Sequence, residues 1–429
     1  MTTYDKFPTV MIQGYDDSAW QGWEAITRIL DAKTQQHSRT VLVIDCYPGV
    51  RLTELEDNVL PRLRPTLTIN AEQARQDEFA IHEMLARNLT DDRVFGVLSC
   101  HQLGEFFDPA RLDALQNQVN QCSGGLIVIY GPGAALIHPG DVLVYADLPR
   151  WEIQQRMRSG EMGNWGAANQ HEDMLRRYKR AFFVEWRVFD RHKTPLLRRA
   201  DFLLDTTRKN QPAMVSGEAL RAGLEQTTTQ PFRVVPFFDP GVWGGQWMKQ
   251  QFDLDPSAAN YAWCFDCVPE ENSLLLRFGA VRIEIPSQDL VLLEPRALLG
   301  EKVHARFGAE FPIRFDFLDT IGGQNLSFQV HPITEYIQQQ FGMHYTQDES
   351  YYILEARPGA VVYLGTKTGT DPQAMMDDLR RAGRGEKTFD DARFVNQIPA
   401  KKHDHFLIPA GTVHCSGAGT MVLEISATP

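Results

Sequence analysis

Residues 326–332, LSFQVHP, decide the interpretation of the second half of this chain. Apolar and polar residues alternate along the segment, which is typical of a strand with one buried face. On a strand, the i, i+2 spacing sends the side chains of Gln329 and His331 to the same face. Two groups that can bind a metal ion then converge on one point. We therefore predict a strand here that carries part of a metal site.

Two further potential ligands follow in the sequence. Glu349 begins the strand-like ESYYIL, and His414 lies in IPAGTVHCSG, where Pro409 and Gly411 indicate a turn. Two imidazoles, a carboxylate and an amide oxygen suit a divalent transition metal, zinc first, with iron, cobalt or manganese as alternatives. A position left open for water or substrate would favour catalysis. The reserve ligands are His344, His403 and His405.

The surrounding sequence predicts an all-β domain over residues 231–429. Closely spaced strand patterns with turn signals follow one another from Pro231 onward, as in a sandwich or barrel. The pattern is interrupted at about 371–399, where DPQAMMDDLRRAG predicts a helix that begins at Asp371 with Pro372 in its first turn. We expect a β domain with a small helical insertion.

The first half of the chain predicts an α/β domain with a mainly parallel sheet over residues 1–210, because strand-like runs alternate with helical patterns. The predicted strands are TVLVIDCY (40–47), RVFGVLS (93–99), GLIVIYG (125–131), DVLVYADL (141–148) and DFLLDTT (201–207). The polar stretch 208–230 has room for at most one helix. We place the domain boundary inside it.

The second half resembles a known family over about residues 235–429. GVWGG (241–245), LSFQVHP, DESYYI (348–353) and IPAGTVH followed by LEIS (423–426) are similar, in this order, to four motifs of the type I mannose-6-phosphate isomerases, which are zinc-dependent cupins. The resemblance implies a cupin (jelly-roll) fold and reversible conversion of mannose 6-phosphate and fructose 6-phosphate without an organic cofactor. It implies a zinc ion held by Gln329, His331, Glu349 and His414.

The same resemblance implies roles for other residues. Glu424 matches an acidic residue of the family's active site, and we predict that Glu424 and Gln329 take part in catalysis. Ser327 matches a serine that the family places beside the substrate phosphate. Trp243 is predicted to pack against its neighbours. Cys264 and Cys267 form a CxxC in WCFDC, but the sequence has no second CxxC, so packing is the preferred interpretation.

Three departures from the family pattern favour an alternative function. Gln347 stands where the family has a lysine two residues before the glutamate ligand, and Asp316 stands where it has another. Arg314 could face the same side as Asp316 and bind the phosphate in its place. The sequence ends at Pro429, where the family continues to an active-site arginine, so we expect a truncated chain or an incomplete site. The alternatives are a catalytically silent or regulatory sugar-phosphate-binding cupin and an isomerase of another sugar phosphate.

The N-terminal region weakly resembles a kinase. TVMIQGYDDSAWQGWEAITRIL (9–30) has the strand, loop and helix order of a phosphate-binding loop, and VLVIDCYPG (41–49) resembles the second strand of uridine-kinase-like proteins. However, the sequence contains no GxxxxGK[ST], so the loop from Gly14 to Gly22 lacks the phosphate-binding lysine. We interpret residues 1–210 as a degenerate, P-loop-kinase-like α/β domain without catalytic activity.

Composition excludes several classes of partner. The 429 residues are 43% hydrophobic and 23% charged, which excludes wholesale disorder. With 43 basic and 55 acidic residues the net charge is -12, which argues against nucleic acid as a binding partner. Six irregularly spaced cysteines are too few for a disulfide framework, so we expect a reducing cytoplasm. No segment is typical of a signal peptide or a membrane span, and we expect no membrane partner. A small-molecule sugar phosphate is the expected partner, and the chain could form a homo-oligomer.

Overall fold

A computed structural model of the chain describes residues 2–427, so Pro429, where the predicted β domain ends, lies outside the described residues. The chain forms two compact units. The α/β unit comprises Phe7–Val235 and Pro269–Phe311, and the β unit comprises Met1–Lys6, Pro236–Val268 and Pro312–Pro429.

Both units are built from short strands and helices. In chain order the strands are β1 (Thr9–Ile12), β2 (Ala19–Gln21), β3 (Arg39–Cys46), β4 (Leu67–Asn70), β5 (Gly125–Gly131), β6 (Val142–Asp147), β7 (Phe202–Asp205), β8 (Ala213–Ser216), β9 (Phe237–Asp239), β10 (Trp263–Cys267), β11 (Ser273–Phe278), β12 (Val281–Pro286), β13 (Ile313–Asp319), β14 (Asp348–Ala356), β15 (Val361–Thr366), β16 (Val395–Pro399), β17 (His405–Ile408), β18 (His414–Ser416) and β19 (Thr420–Ala427). The α-helices are α1 (Trp23–Thr34), α2 (Leu52–Asn58), α3 (Leu60–Leu63), α4 (Glu78–Leu89), α5 (Pro109–Gln121), α6 (Ala134–Ile137), α7 (Arg150–Arg158), α8 (Met174–Arg180), α9 (Trp186–Arg199), α10 (Gly217–Thr228), α11 (Trp247–Gln251), α12 (Ser287–Leu293), α13 (Pro295–Phe307), α14 (Thr334–Phe341), α15 (Pro372–Gly383) and α16 (Asp391–Phe394).

The α/β unit is built on a seven-stranded sheet in the order β2-β8-β7-β6-β3-β5-β4. The five strands from β7 to β4 in this order are mutually parallel, whereas β8 runs antiparallel to both of its neighbours. All but the first residue of β3 are buried, as expected of a central strand with both faces covered. The predicted mainly parallel sheet is therefore present.

One predicted strand is absent from this sheet. Residues 93–99, RVFGVLS, form no strand, and this prediction was wrong. Their backbone is held by single hydrogen bonds, from the Val97 N–H to the Asn88 carbonyl and from the Ser99 N–H to the Phe183 carbonyl. The β-branched and apolar residues of this run resemble a strand in sequence, but the bonding partners lie in helical segments and not in a neighbouring strand.

Residues 269–311 lie in the α/β unit, although the strand pattern places them in the β domain over 231–429. The cause is a pairing between distant segments. Strand β11 pairs in parallel with β1, and β12 pairs antiparallel with β11, which gives a separate three-stranded sheet. The partner of β11 lies more than 250 residues earlier in the chain, so local sequence patterns cannot reveal it.

The start of the chain does not form a phosphate-binding loop in the main sheet. Strand β1, which precedes the loop from Gly14 to Gly22, pairs with β11 outside the seven-stranded sheet, and β2 lies antiparallel at the edge of that sheet. The strand of VLVIDCYPG, β3, instead lies between β5 and β6 among the parallel strands. The kinase-like character of residues 1–210 stays a prediction.

The β unit contains a six-stranded sheet in the order β17-β14-β19-β13-β10-β9 and a three-stranded sheet in the order β16-β15-β18. Every pairing in both sheets is antiparallel. The helix predicted at 371–383 is present as α15, and the Asp371 side chain accepts a hydrogen bond from the Gln373 N–H at its N-terminus. The β-rich architecture with a helical insertion therefore agrees with the sequence pattern.

Among residues 2–427, no helix combines the length and the apolar character that crossing a membrane requires.

Candidate metal centre

The buried face of the six-stranded sheet carries charged side chains in register. Because side chains alternate between the two faces of a strand, Arg314 and Asp316 of β13 both lie on the buried face, and Phe315 between them is exposed. Two residues of the neighbouring strand β19 are their cross-strand partners: Arg314 pairs with Ser426, and Asp316 pairs with Glu424. Buried charges are costly unless they are paired or bind an ion, so this face is a candidate for function.

Strand β14 lies on the other side of β19, and its residues pair with the same two residues of β19. Glu349 pairs with Ser426, and Tyr351 pairs with Glu424, and the side chains of all four residues are buried. One row deeper the face becomes apolar, with Leu318, Val422 and Ile353 in register. The charged groups therefore lie over the apolar core of the unit and not within it.

The segment LSFQVHP is extended but forms no regular strand, which corrects the sequence prediction. Gln329 makes a single antiparallel bridge with His414, through hydrogen bonds of 3.0 and 2.9 Å between their backbone groups. The Leu326 N–H donates to the Ser416 carbonyl, and the Gly411 N–H donates to the His331 carbonyl. This short pairing is still sufficient to place Gln329 and His331 beside His414.

Three of the four predicted ligands, His331, Glu349 and His414, converge, with Glu349 between the two histidines. The Nε2 atom of His414 lies 2.5 Å from Glu349 Oε1, and the Nε2 atom of His331 lies 3.2 Å from Glu349 Oε2. The potential ligand atoms of these three residues lie within 4.8 Å of one another. The side chains of Glu349 and His414 are fully buried, whereas that of His331 is 17% exposed, so the cluster is approachable from the side of His331.

The hydrogen bond at the far side of the His414 ring shows why the cluster suits a cation. Its Nδ1 atom lies 2.8 Å from the Thr412 carbonyl oxygen, which can only accept, so Nδ1 carries the proton. In the neutral ring, Nε2 then has a lone pair that points at Glu349 Oε1, an enclosed oxygen for which the structure gives no other donor. Two lone pairs at this distance repel unless a proton or a metal ion lies between or beside them. A ring held by a backbone carbonyl at Nδ1 is a usual arrangement for a metal-ligating histidine.

The fourth predicted ligand, Gln329, lies at the edge of the cluster. Its Nε2 atom is 3.3 Å from His414 Nε2. To bind a cation, the amide would turn by about 180° and present its oxygen, because the nitrogen has no free lone pair. The donor set of two imidazoles, one carboxylate and one amide oxygen then fits a divalent transition metal with an open position.

The carboxyl groups of this face differ in the direction of their pKa shifts. Burial by itself would raise the pKa of Glu349, but the contacts with His331 and His414 outweigh it and lower the pKa to about 2. Burial, followed by the negative charges of Asp316 and Glu349, raises the pKa of Glu424 well above its usual range. Burial and Glu349 also raise the pKa of Asp316 to about 7, against the opposing effect of Arg314. A carboxyl of lowered pKa therefore lies beside one of raised pKa, and such a pair can divide ligand and proton-transfer roles.

The other predicted residues lie at defined places. Ser327 is exposed. The Nδ1 atom of His403 lies 2.7 Å from the hydroxyl of Tyr352, and His405 and His344 are exposed. In the described part of the chain, the group of His, Cys, Asp and Glu side chains able to hold a metal ion consists of His331, Glu349 and His414.

Tyr351 also lies at this site, although it was not among the predicted residues. This side chain is fully buried, its ring centroid lies 5.9 Å from that of His414, and it pairs across the strands with Glu424. The signal was available, because Tyr351 follows Glu349 by two residues and so lies on the same face of the strand.

The fold and this cluster define an antiparallel β unit with a candidate metal centre on its buried face. Over part of its length the chain is similar in sequence to the mannose-6-phosphate isomerases. It is 27% identical to the mannose-6-phosphate isomerase of Streptococcus mutans serotype c (strain ATCC 700610 / UA159) over 185 residues, 43% of this chain and 53% of that protein. It is 26% identical to mannose-6-phosphate isomerase ManA of Bacillus subtilis (strain 168) over 198 residues, 46% of this chain and 58% of that protein. The chain thus spans about half the length of the curated relatives it matches.

The chain also matches a solved structure and a protein-family model. The crystal structure of mannose 6-phosphate isomerase from Bacillus subtilis matches with a TM-score of 0.34 and 18% identity, and the match covers 46% of this chain and 57% of that one. A family model described as a domain of unknown function (DUF8485) matches residues 22–229, which lie in the α/β unit.

Proposed function

We propose that this chain is a metal-dependent aldose–ketose isomerase that interconverts mannose 6-phosphate and fructose 6-phosphate, with zinc as its metal. The observation that carries the proposal is the cluster of His331, Glu349 and His414 beside the buried carboxyl of Glu424. The sequence similarity to mannose-6-phosphate isomerases supports the same reaction.

In this proposal, His331, Glu349 and His414 hold the ion, and Gln329 completes the set through its amide oxygen. A divalent ion bound there would polarise the sugar carbonyl and stabilise the negative charge that develops during enolisation. The low pKa of Glu349, about 2, keeps this carboxylate ionised at neutral pH, which a metal ligand requires. The Thr412 carbonyl holds the His414 ring in the tautomer that binds through Nε2.

The isomerisation moves a proton between neighbouring carbons of the sugar, and we assign this transfer to Glu424. Its carboxyl is 6% exposed and lies on the same buried face as Glu349. General acid and base catalysis is most effective when the pKa of the group lies near the working pH, and burial moves the pKa of Glu424 upward from its usual range. The buried position also keeps water from the transferred proton.

We assign the substrate phosphate to Arg314 and Ser327. Arg314 lies one row along the sheet from Asp316 and in register with Ser426, which pairs with Glu349 on its other side. A guanidinium can bind two phosphate oxygens at once, which suits a phosphate dianion. Ser327 is exposed and precedes Gln329 by two residues.

An alternative is a silent or regulatory cupin that binds a sugar phosphate without converting it. The observation that favours it is the acidic character of the site, because the carboxyls of Asp316, Glu424 and Glu349 share one buried face with Arg314. Isomerisation of a different sugar phosphate is compatible with the same metal cluster. The assay therefore includes other aldose phosphates.

The test is a coupled assay for fructose 6-phosphate formed from mannose 6-phosphate, on protein loaded with Zn²⁺ or Co²⁺. Turnover that is lost on chelation, restored by metal and reduced at least about 100-fold in Glu424→Gln would support the isomerase, since positioned acid–base groups contribute roughly 10²–10⁴ in rate. Metal and fructose 6-phosphate binding without turnover of any aldose phosphate would instead support the silent cupin. A chain that binds neither metal nor sugar phosphate would refute both.

For residues 1–210 we propose a degenerate kinase-like domain without catalytic activity. The support is the run of parallel strands and a sequence without GxxxxGK[ST]. Calorimetric titration with Mg·ATP should give no heat of binding. Binding at micromolar concentration would contradict the proposal.

A further inference from the structure

The side chain of Gln347 lies between two carboxyl groups of the candidate metal centre. Its Nε2 atom donates hydrogen bonds to Glu349 Oε2 at 3.1 Å and to Glu424 Oε1 at 3.3 Å. An amide nitrogen has two protons, so it can serve both acceptors at once. Gln347 is half-buried and lies just before strand β14, two residues from Glu349.

The two carboxyl groups lie close enough together to share this donor. Glu349 pairs with Ser426, and Glu424 pairs with Tyr351, so the two glutamates are diagonal neighbours on adjacent strands. Long side chains on a diagonal are within reach of each other, and both of these are buried. The carboxyl of Glu424 also contacts that of Glu349 directly. The amide of Gln347 gives both groups a further donor and adds no charge.

The two hydrogen bonds connect groups with different assigned roles. Glu349 is assigned to the metal, and Glu424 is assigned to the proton. His331 also contacts Glu349 Oε2, so the bond from Gln347 meets the carboxylate at the same oxygen. A side chain bonded to both groups fixes the distance and orientation of one relative to the other.

We infer that Gln347 is a positioning residue, whose side-chain amide ties the carboxyl of Glu424 to the metal-ligating carboxylate of Glu349. The inference rests on the proposed function. It gives a role in this chain to the position where the resemblance to the mannose-6-phosphate isomerases would lead one to expect a lysine. Gln347 itself neither holds the metal nor moves the proton.

The first test replaces the amide with an apolar side chain of similar size, Gln347→Leu. With metal at saturation we expect kcat to fall by about 10–100-fold, the usual cost of losing a partner of a metal-site group, while KM changes less than about 2-fold. The matched control is Gln340→Leu, because Gln340 is exposed on α14 of the same unit. The assay is done at saturating metal because, if Gln347 only strengthened metal binding, the variant would have the wild-type kcat once its site is filled. Such recovery would overturn the inference.

The second test is a double-mutant cycle with Glu424→Gln. If Gln347 acts through Glu424, then Gln347→Leu should lower kcat less than about 2-fold in the Glu424→Gln background, because coupled residues are not additive. Losses that multiply would show that the two side chains act independently. That outcome would also overturn the inference.

A spectroscopic test does not need turnover. In Co²⁺-loaded protein, Glu424→Gln should shift the visible absorption bands of the metal when Gln347 is present and should leave them unchanged in Gln347→Leu. Equal shifts in both backgrounds, or no shift in either, would refute the connection. Because wild-type turnover is measured separately, a failed isomerase assay together with this coupling would reject the proposed reaction and keep the positioning role.

Discussion

Replacing His414 by alanine should remove most of the stability that a bound metal gives to this protein. The ring is fully buried, and its Nε2 atom lies 2.5 Å from Glu349 Oε1, so alanine removes a donor from the middle of the cluster. His414→Ala therefore leaves His331, Glu349 and Gln329 as the donors. Fewer donors hold a labile divalent ion less tightly.

The size of the effect follows from linkage between binding and folding. A metal at 100 times its Kd stabilises the wild-type fold by about 2.7 kcal/mol. Losing a direct ligand should weaken binding by at least about 100-fold, the upper end of the roughly 10–100-fold range for losing an outer partner of a ligand. The same metal concentration then equals about one Kd in the variant, and the stabilisation falls to about 0.4 kcal/mol. At roughly 2–4 °C per kcal/mol, several degrees of metal-dependent Tm shift should disappear.

The assay is thermal unfolding of chelator-treated protein with and without Co²⁺, compared within each variant so that the intrinsic cost of the substitution cancels. The matched control is His403→Ala, since His403 is a reserve ligand whose Nδ1 atom contacts Tyr352. The control should keep the full metal-dependent shift. An undiminished shift in His414→Ala, or a shift lost in His403→Ala, would refute the assignment of the ligands.

Three further outcomes are expected. Arg314→Ala should weaken fructose 6-phosphate binding by about 2–3 kcal/mol, the value of one charge-assisted pair, with unchanged metal content; unaltered affinity in calorimetric titration would place the phosphate elsewhere. In the α/β unit, Lys193 is almost fully buried, and its Nζ atom lies 2.6 Å from Asp289 Oδ1 and 3.1 Å from Asp147 Oδ2. Lys193→Met leaves these carboxylates without their cation, so it should lower the free energy of unfolding by about 3–5 kcal/mol in urea titrations. A loss of less than about 1 kcal/mol would show that this ion-pair network is dispensable. Burial, followed by the charge of a neighbouring glutamate, raises the pKa of Asp205 to about 7, so the native state holds a proton that the unfolded chain releases near pH 4. Between pH 5 and 7.5 the stability of the wild-type protein should therefore fall by about 2 kcal/mol more than that of Asp205→Asn. Equal pH dependence of the two proteins in urea unfolding would show that Asp205 does not contribute.

Several features of this protein could be predicted from the sequence because they depend on neighbouring residues. The alternation of apolar and polar residues identified the strands around Glu349 and Glu424, and the Asp–Pro start identified helix α15. The i, i+2 spacing of Gln329 and His331 requires only an extended backbone, so both residues lie beside His414 even though their segment is not a regular strand.

Other features depend on which distant segments meet. Strand β11 takes its place in the α/β unit because its partner, β1, lies near the start of the chain, and RVFGVLS forms no strand because its backbone bonds to helical segments. The bridge from Gln347 to Glu349 and Glu424 needs β14 and β19 to lie side by side in one register. Backbone periodicity is a local property of a sequence, whereas the choice of strand partner is a free-energy comparison over the whole chain. Only the tertiary structure therefore reveals that a neutral amide joins the two carboxyl groups of the candidate site.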